Sequence, residues 1–286
     1  MGLVGESGCG KTSVAFSLLK LMPENGFIKS GHIYLNGTDI VPLKEEEMRK
    51  LRWQSISMVF QAAMNALNPV YKVGDQIIEA MENHGQVETN LAAREHVAGL
   101  FKLVGLDPKL MDQYPHEYSG GMRQRAIIAM ALACNPDIII ADEPTTALDV
   151  IVQDSLLREM MGLQKKLNMS MIYISHDIAV IAEVTERIGV MYAGRMAEFA
   201  SATEIFKQPL HPYTYGLMSA FPSIIGAKRQ LTTLPGEPPD LIAPPPGCRF
   251  HPRCSYATEI CSEQVPEFRD MGGEHFVACW HPLEAH

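Results

Sequence analysis

The eight residues Gly5-Glu6-Ser7-Gly8-Cys9-Gly10-Lys11-Thr12 constrain this chain more than any other stretch of it. Glycines at this spacing let successive backbone N–H groups converge on one point at the start of a helix, which is how a protein cradles phosphate. The flanks are the required ones. Residues 1–4 read as the end of a buried strand, and the apolar run 14–22 reads as a helix that Pro23 stops. The candidate phosphate contacts are therefore Gly5, Glu6, Ser7, Gly8, Cys9, Gly10, Lys11, Thr12 and Ser13. Lys11 would reach the β and γ phosphates of a nucleotide and the Thr12 hydroxyl would bind Mg²⁺. Cys9 counts only as a small residue.

A second segment supplies what hydrolysis needs. Ile138-Ile139-Ile140-Ala141-Asp142-Glu143 is an apolar strand ending in two carboxylates. Asp142 is placed to hold Mg²⁺ through water, and Glu143 to orient or deprotonate an attacking water. Both segments together predict a site that hydrolyses a nucleotide.

The pattern between and beyond them alternates strand and helix. Residues 32–40 carry a hairpin signal around Asn36-Gly37, 44–53 a charged helix and 56–60 a strand. From about 62 to 134 the apolar spacing is helical, as over 73–81 and 91–104, with no convincing strand, so an inserted helical subdomain is expected there. Strands return over 137–141, 169–174 and 188–192, separated by helices over 150–167 and 178–186, which predicts βαβ units and a parallel sheet. Beyond about 207 the chain turns Pro-rich, and only 213–220 reads as regular structure. The expected division is a nucleotide-binding domain over 1–206 and a C-terminal extension over 207–286.

Charge and apolar runs exclude several functions. The formal net charge is −9 with no block of Lys or Arg, so no electrostatic footprint for nucleic acid is present. No segment approaches the roughly 18 uninterrupted apolar residues of a spanning helix, and residues 1–12 run straight into loop chemistry rather than a leader peptide, so a cytosolic protein is expected. In a reducing compartment its six cysteines are thiols or metal ligands rather than disulfides.

The stretch Tyr118-Ser119-Gly120-Gly121-Met122-Arg123-Gln124, lying between the loop and the acidic pair, narrows the field. With it the chain resembles the ATP-binding subunits of ABC transporters, P-loop NTPases with a RecA-like core. Gln61, Ser119, Asp142-Glu143, Ala147-Leu148-Asp149 and His176 then follow in that family's order. The resemblance implies that Gln61 senses Mg²⁺ and the attacking water and that His176 contacts the γ-phosphate. It implies that Asp149 lies in a loop crossing a dimer interface. Ser119, Gly120 and Gly121, opening a helix, suit an anion clamp of hydroxyl and exposed N–H groups. In the family the phosphate they hold belongs to ATP on the other subunit of a head-to-tail dimer. Arg123 and Arg125 are expected to be solvated or paired with carboxylates.

Met122 with Arg123-Gln124-Arg125, and the loop Ala62-Ala63-Met64-Asn65-Ala66-Leu67-Asn68-Pro69, resemble the peptide and nickel importer branch. That loop docks the permease in the family, although this chain has Ala62 and Ala63 where an acidic residue and Pro are usual. Leu210-His211-Pro212-Tyr213-Thr214 and the run from Pro244 to Cys254 look like the tail of oligopeptide and dipeptide importer ATPases. The implied partners are two permease subunits, a second ATPase subunit, identical or paralogous, and, indirectly, an extracytoplasmic peptide-binding protein. The implied place is the cytoplasmic face of the membrane. Cys248, Cys254, Cys261 and Cys279, separated by five, six and seventeen residues, suit a Cys₄ site. The branch's association with such a tail ranks a [4Fe–4S] cluster above zinc.

Family members place further strands and an adenine-stacking aromatic ahead of the phosphate loop, so an N-terminally truncated core is expected, with the true start upstream. Three other functions compete: a nickel or other small-solute importer of the same branch, a soluble ABC-type DNA-repair ATPase, and a non-catalytic subunit.

Overall fold

The structure is a computed structural model and describes residues 1–61, 66–146, 148–219 and 234–284. The first half runs β1 (Gly2–Val4), α1 (Lys11–Leu19), β2 (Tyr34–Leu35), β3 (Thr38–Asp39), α2 (Glu45–Leu51) and β4 (Ile56–Val59). It continues with α3 (Val73–Asn83), α4 (Asn90–Leu103), α5 (Gly120–Ala131) and β5 (Ile138–Asp142). The second half runs α6 (Val150–Leu167), β6 (Ser170–Ser175), α7 (Ile178–Val184), β7 (Arg187–Tyr192), β8 (Arg195–Ser201) and α8 (Ala202–Lys207). The tail adds α9 (Pro212–Ser219), α10 (Glu259–Glu263), β9 (Arg269–Asp270) and β10 (Phe276–Val277).

The chain forms two compact units. One joins Met1–Thr12 to Tyr173–His286, and the other is Ser13–Ile172. In the first, the strand order is β6-β1-β7-β8-β10-β9. β1 lies parallel to both neighbours, with Gly2 opposite Tyr173 on one side and Ile188 on the other. β8 turns back antiparallel to β7, and β10 and β9 extend the sheet antiparallel again. The sheet is therefore mixed where a parallel one was expected. Leu3, Val4, Ile174, Ile188 and Val190 are buried between its faces, which explains why these strands read as continuous apolar runs.

In the second unit β4 pairs parallel with β5, Ile56 opposite Ile138, and β2 and β3 form the expected hairpin around Asn36-Gly37. No strand occurs among its described residues between 66 and 134, as the helical spacing required. α6 shows why boundaries there were legible. The Asp149 carboxylate accepts from the Val152 N–H at 3.0 Å, Asn168 closes the helix at φ 50°, and Leu156, Met160 and Leu163 form its buried stripe. Lys165 and Lys166 sit in the last turn, where the helix dipole favours cations.

The tail is tied down by a buried carboxylate. Glu198 on β8 is 0% exposed and accepts from the Leu210 and His211 N–H groups at 2.7 and 2.9 Å and pairs with His275 Nε2 at 2.6 Å. A carboxylate there without donors would cost several kcal/mol, so the strand and the tail stabilise each other. His211 is buried too, and its Nδ1 accepts from the Tyr213 N–H at 3.0 Å. Burial holds the His211 pKa down at about 4, although Glu198 pulls it upward.

A folded pKa below the unfolded one means that stability is complete above about 6.5 and is lost as pH falls through about 4. His211 alone would account for about 3 kcal/mol of that loss. The urea midpoint is expected to fall less between pH 7 and pH 4 in His211→Asn than in the parent chain. An equal fall would contradict this.

Candidate functional site

In the first unit, β1 delivers the chain into the loop 5–12 and α1 carries it out. Gly5 is required at its position, because a Cβ there would lie 2.2 Å from the Met191 carbonyl oxygen. Gly8 has φ 78° and no atom within 4 Å of where its Cβ would be, so the loop faces open space on that side. The Lys11 side chain lies along the loop: it is 6% exposed, and its Nζ donates to the Gly5 and Glu6 carbonyls at 2.8 and 3.1 Å. Cys9 is buried, and burial pushes its thiol pKa up, so it acts there as packing. Thr12 is half-buried and Ser13 exposed. His176 is exposed in the short link between β6 and α7, just before Asp177, which caps that helix.

In the second unit, β5 ends in Asp142, 1% exposed, followed by Glu143. Glu143 is a non-glycine residue at φ 45°, a backbone state that costs on the order of 1–3 kcal/mol and collects at functional sites. Its Oε2 accepts from Gln61 Nε2 at 2.9 Å and from Thr146 Oγ1 at 3.1 Å. Gln61 and Glu143, singled out separately in the sequence, are thus in direct contact. Two donors on one oxygen orient the carboxylate.

Ser119 caps α5, its Oγ accepting from the Met122 N–H at 3.3 Å. It is exposed, and Gly120 and Gly121 open the helix beside it. A Cβ on Gly121 would stand 3.2 Å from a Val152 methyl, so the glycine also permits close packing on α6. Arg125 pairs with the Glu159 carboxylate, as expected, whereas Arg123 Nε donates to the Tyr118 backbone carbonyl at 3.2 Å rather than to a carboxylate. Asp149 caps α6 through Val152. Of the loop 62–69 expected to dock a permease, residues 62–65 lie outside the described residues, as does Ala147 near Asp149 and as does Ala220 at the end of the expected tail helix.

Cys248, Cys254, Cys261 and Cys279 all line one cavity, with His211, His251 and His281 among its other walls. The cavity measures about 10 Å³, room for roughly one water. Among the described residues no group of three or more His, Cys, Asp or Glu side chains is arranged to hold a metal ion. Burial raises the thiol pKa values of Cys248 and Cys254 and carries that of Cys279 to about 12, and the other cysteines push Cys279 the same way. Neither the [4Fe–4S] cluster nor zinc expected from the sequence gains support from this arrangement.

Three residues at the loop went unassigned in the sequence. Tyr213 Oη accepts from the Glu6 N–H at 3.0 Å, and Arg253 grips the Glu6 carboxylate through Nη1 at 2.7 Å and Nη2 at 3.0 Å. The Tyr192 ring lies tilted against that of Tyr213, 4.6 Å between centroids, and its Oη accepts from Arg253 at 3.2 Å. The only sequence signal was that Tyr213 and Arg253 fall inside the two tail segments already singled out. Thr146, on Glu143, had none.

A family model described as ABC transporter matches residues 1–146, and one described as oligopeptide/dipeptide transporter, C-terminal region, matches residues 197–261. The oligopeptide transport ATP-binding protein OppD of Bacillus subtilis (strain 168) is 46% identical over 288 residues, 99% of this chain and 80% of its own length. The dipeptide transport ATP-binding protein DppD of the same organism is 46% identical over 281 residues, 97% of this chain and 84% of its own. Among solved structures, the ATP-binding cassette MJ0796, dimeric in a post-hydrolysis state with ADP and Pi, superposes with a TM-score of 0.62 at 26% identity. That match covers 70% of this chain and 84% of the other.

Proposed function

The chain belongs to the ABC transporter ATP-binding proteins whose relatives serve oligopeptide and dipeptide transport, and from that premise we propose that it hydrolyses ATP to power peptide import across the cytoplasmic membrane. The observation that carries the reading is Glu143, held in a left-handed backbone at the end of β5 with Gln61 and Thr146 on one carboxylate oxygen. That is a base fixed before its water arrives.

The roles follow residue by residue. Loop residues Gly5 to Ser13 are assigned to the phosphates, with Lys11 as their cation, and Thr12, Asp142 and Gln61 are the residues that would hold Mg²⁺. Glu143 takes the proton from the attacking water, and Gln61 and His176 orient the water and the γ-phosphate. The nucleotide supplies the transferred phosphoryl group, and Mg²⁺ offsets its charge. Ser119, Gly120 and Gly121 close on the ATP of a second ATPase subunit, and Asp149 lies at that interface. The relatives' names and the dimeric form of MJ0796 support this arrangement.

Among the described residues no helix is long and apolar enough to cross a membrane. We assign passage of the peptide to two permease subunits and its capture to an extracytoplasmic binding protein, with this subunit on the cytoplasmic face. Residues 1–206 serve as the nucleotide-binding domain and 207–286 as the extension.

Ser119→Arg tests the shared site. In a complex purified through this chain and labelled with a photoreactive ATP analogue, the variant is expected to lower labelling of the second ATPase subunit about tenfold, a difference of ~1.4 kcal/mol. Labelling of this chain should persist. Two tags separate the subunits if both are copies of this chain. Loss confined to the chain that carries the substitution would overturn the head-to-tail arrangement.

A further inference from the structure

Glu6 is an acid inside a loop that has to receive a triphosphate, and every polar group it owns is occupied. Its carbonyl accepts from Lys11 Nζ at 3.1 Å. Its N–H donates to Tyr213 Oη, and its carboxylate lies in the fork of Arg253. Two of those three partners come from the tail, more than 200 residues along the chain.

Both tail partners are themselves immobilised. Tyr213 is fully buried, with its ring 4.6 Å from that of Tyr192 and 5.4 Å from that of Phe250. The Arg253 side chain is 6% exposed, and beyond Glu6 it donates from Nε to the Pro235 carbonyl at 2.7 Å and from Nη1 to Tyr192 Oη at 3.2 Å. Nearby, Arg249 donates to the Ala193 carbonyl, and the Gly194 N–H donates to the Cys9 carbonyl at 2.8 Å. A planar fork held at three corners fixes a carboxylate in direction as well as in charge.

We propose that Arg253 and Tyr213 make the C-terminal tail a positioning element of the phosphate loop: Tyr213 fixes the backbone at Glu6, and Arg253 cancels the Glu6 charge that would otherwise repel ATP. The proposal rests on the reading of residues 5–12 as the phosphate loop. It gives the tail a task in nucleotide binding. The cost of losing Arg253 is then chiefly the bare carboxylate left behind, because like charges in a partly buried site are poorly screened.

That distinction makes the test. Dissociation constants for Mg-ATP are measured by calorimetry on the full chain and on Lys11→Ala, Glu6→Gln, Arg253→Met and the double variant Glu6→Gln/Arg253→Met. Arg253→Met is expected to bind about tenfold more weakly, and the double variant to return to within about threefold of the parent. Glu6→Gln alone, which leaves the Arg253 charge unopposed beside the phosphates, is expected to bind more tightly than the parent. A purely structural ion pair would give no rescue, since the double variant lacks the same contacts. Parent-like binding by Arg253→Met, or a double variant as weak as Arg253→Met, overturns the proposal. If Arg253→Met does not fold, Glu6→Gln decides, and weaker binding by it counts against the proposal. Undiminished binding by Lys11→Ala would instead refute the phosphate-loop reading.

Discussion

Glu143→Gln is expected to keep Mg-ATP bound while turnover falls by about two to four orders of magnitude, the usual worth of a positioned general base. The substitution is nearly isosteric. Gln61 Nε2 and Thr146 Oγ1 both donate to the same carboxylate oxygen, at 2.9 and 3.1 Å, and an amide oxygen in that place accepts from both. The strained backbone at φ 45° and the end of β5 have no reason to move. What disappears is the basic oxygen that takes the water's proton, so binding and chemistry separate. Phosphate release and nucleotide retained after gel filtration check this. Turnover within about twofold of the parent would remove Glu143 from the mechanism.

Lys11→Ala is expected to act one step earlier, weakening Mg-ATP binding about a hundredfold, or ~2.7 kcal/mol. Lys11 is a nearly buried cation whose present acceptors are two carbonyls and the Cys9 sulfur of its own loop. A triphosphate offers stronger, charged acceptors to the same ammonium group, and charge-assisted hydrogen bonds are about twice as strong as neutral ones. The loop cannot replace it. Calorimetry gives the constant, and thermal melting of the same samples separates lost affinity from lost fold. A variant that binds ATP within about threefold of the parent would place the phosphates elsewhere.

Local chemistry decided which parts of this molecule could be read from its sequence. The α6 bounds were legible because Asp149, the buried stripe and Asn168 all speak within one segment. The loop 5–12 and the acids 142–143 were legible for the same reason. β8 was not, because its apolar alternation is interrupted by Glu198, a buried charge whose partner His275 lies 77 residues further on. The two-residue strands β9 and β10 carry too little pattern to announce themselves in a segment bordered by proline and glycine. α8 did leave a signal: Ser201 and Glu204 form a reciprocal capping box at its start, a spacing visible in the sequence.

The site divides along the same line. Glu143 was recognised by its place at the end of an apolar strand and Gln61 by the order of the family's motifs, and the fold puts the two in contact. The hold of Arg253 and Tyr213 on Glu6 had no local trace, since ion pairs across more than 200 residues are written only in the fold. The four tail cysteines mark the opposite case. Their spacing suggested a cluster, yet although all four line one cavity of about 10 Å³, no metal-holding group occurs among the described residues.

The central claim, that this subunit's ATP hydrolysis drives peptide import, is tested most directly by phosphate release from the complex purified through this chain and reconstituted in lipid vesicles with its peptide-binding protein. The account predicts that dipeptides or oligopeptides accelerate release and that Glu143→Gln abolishes both the basal and the accelerated rate. Acceleration by nickel but not by any peptide, or peptide acceleration that survives Glu143→Gln, would contradict it.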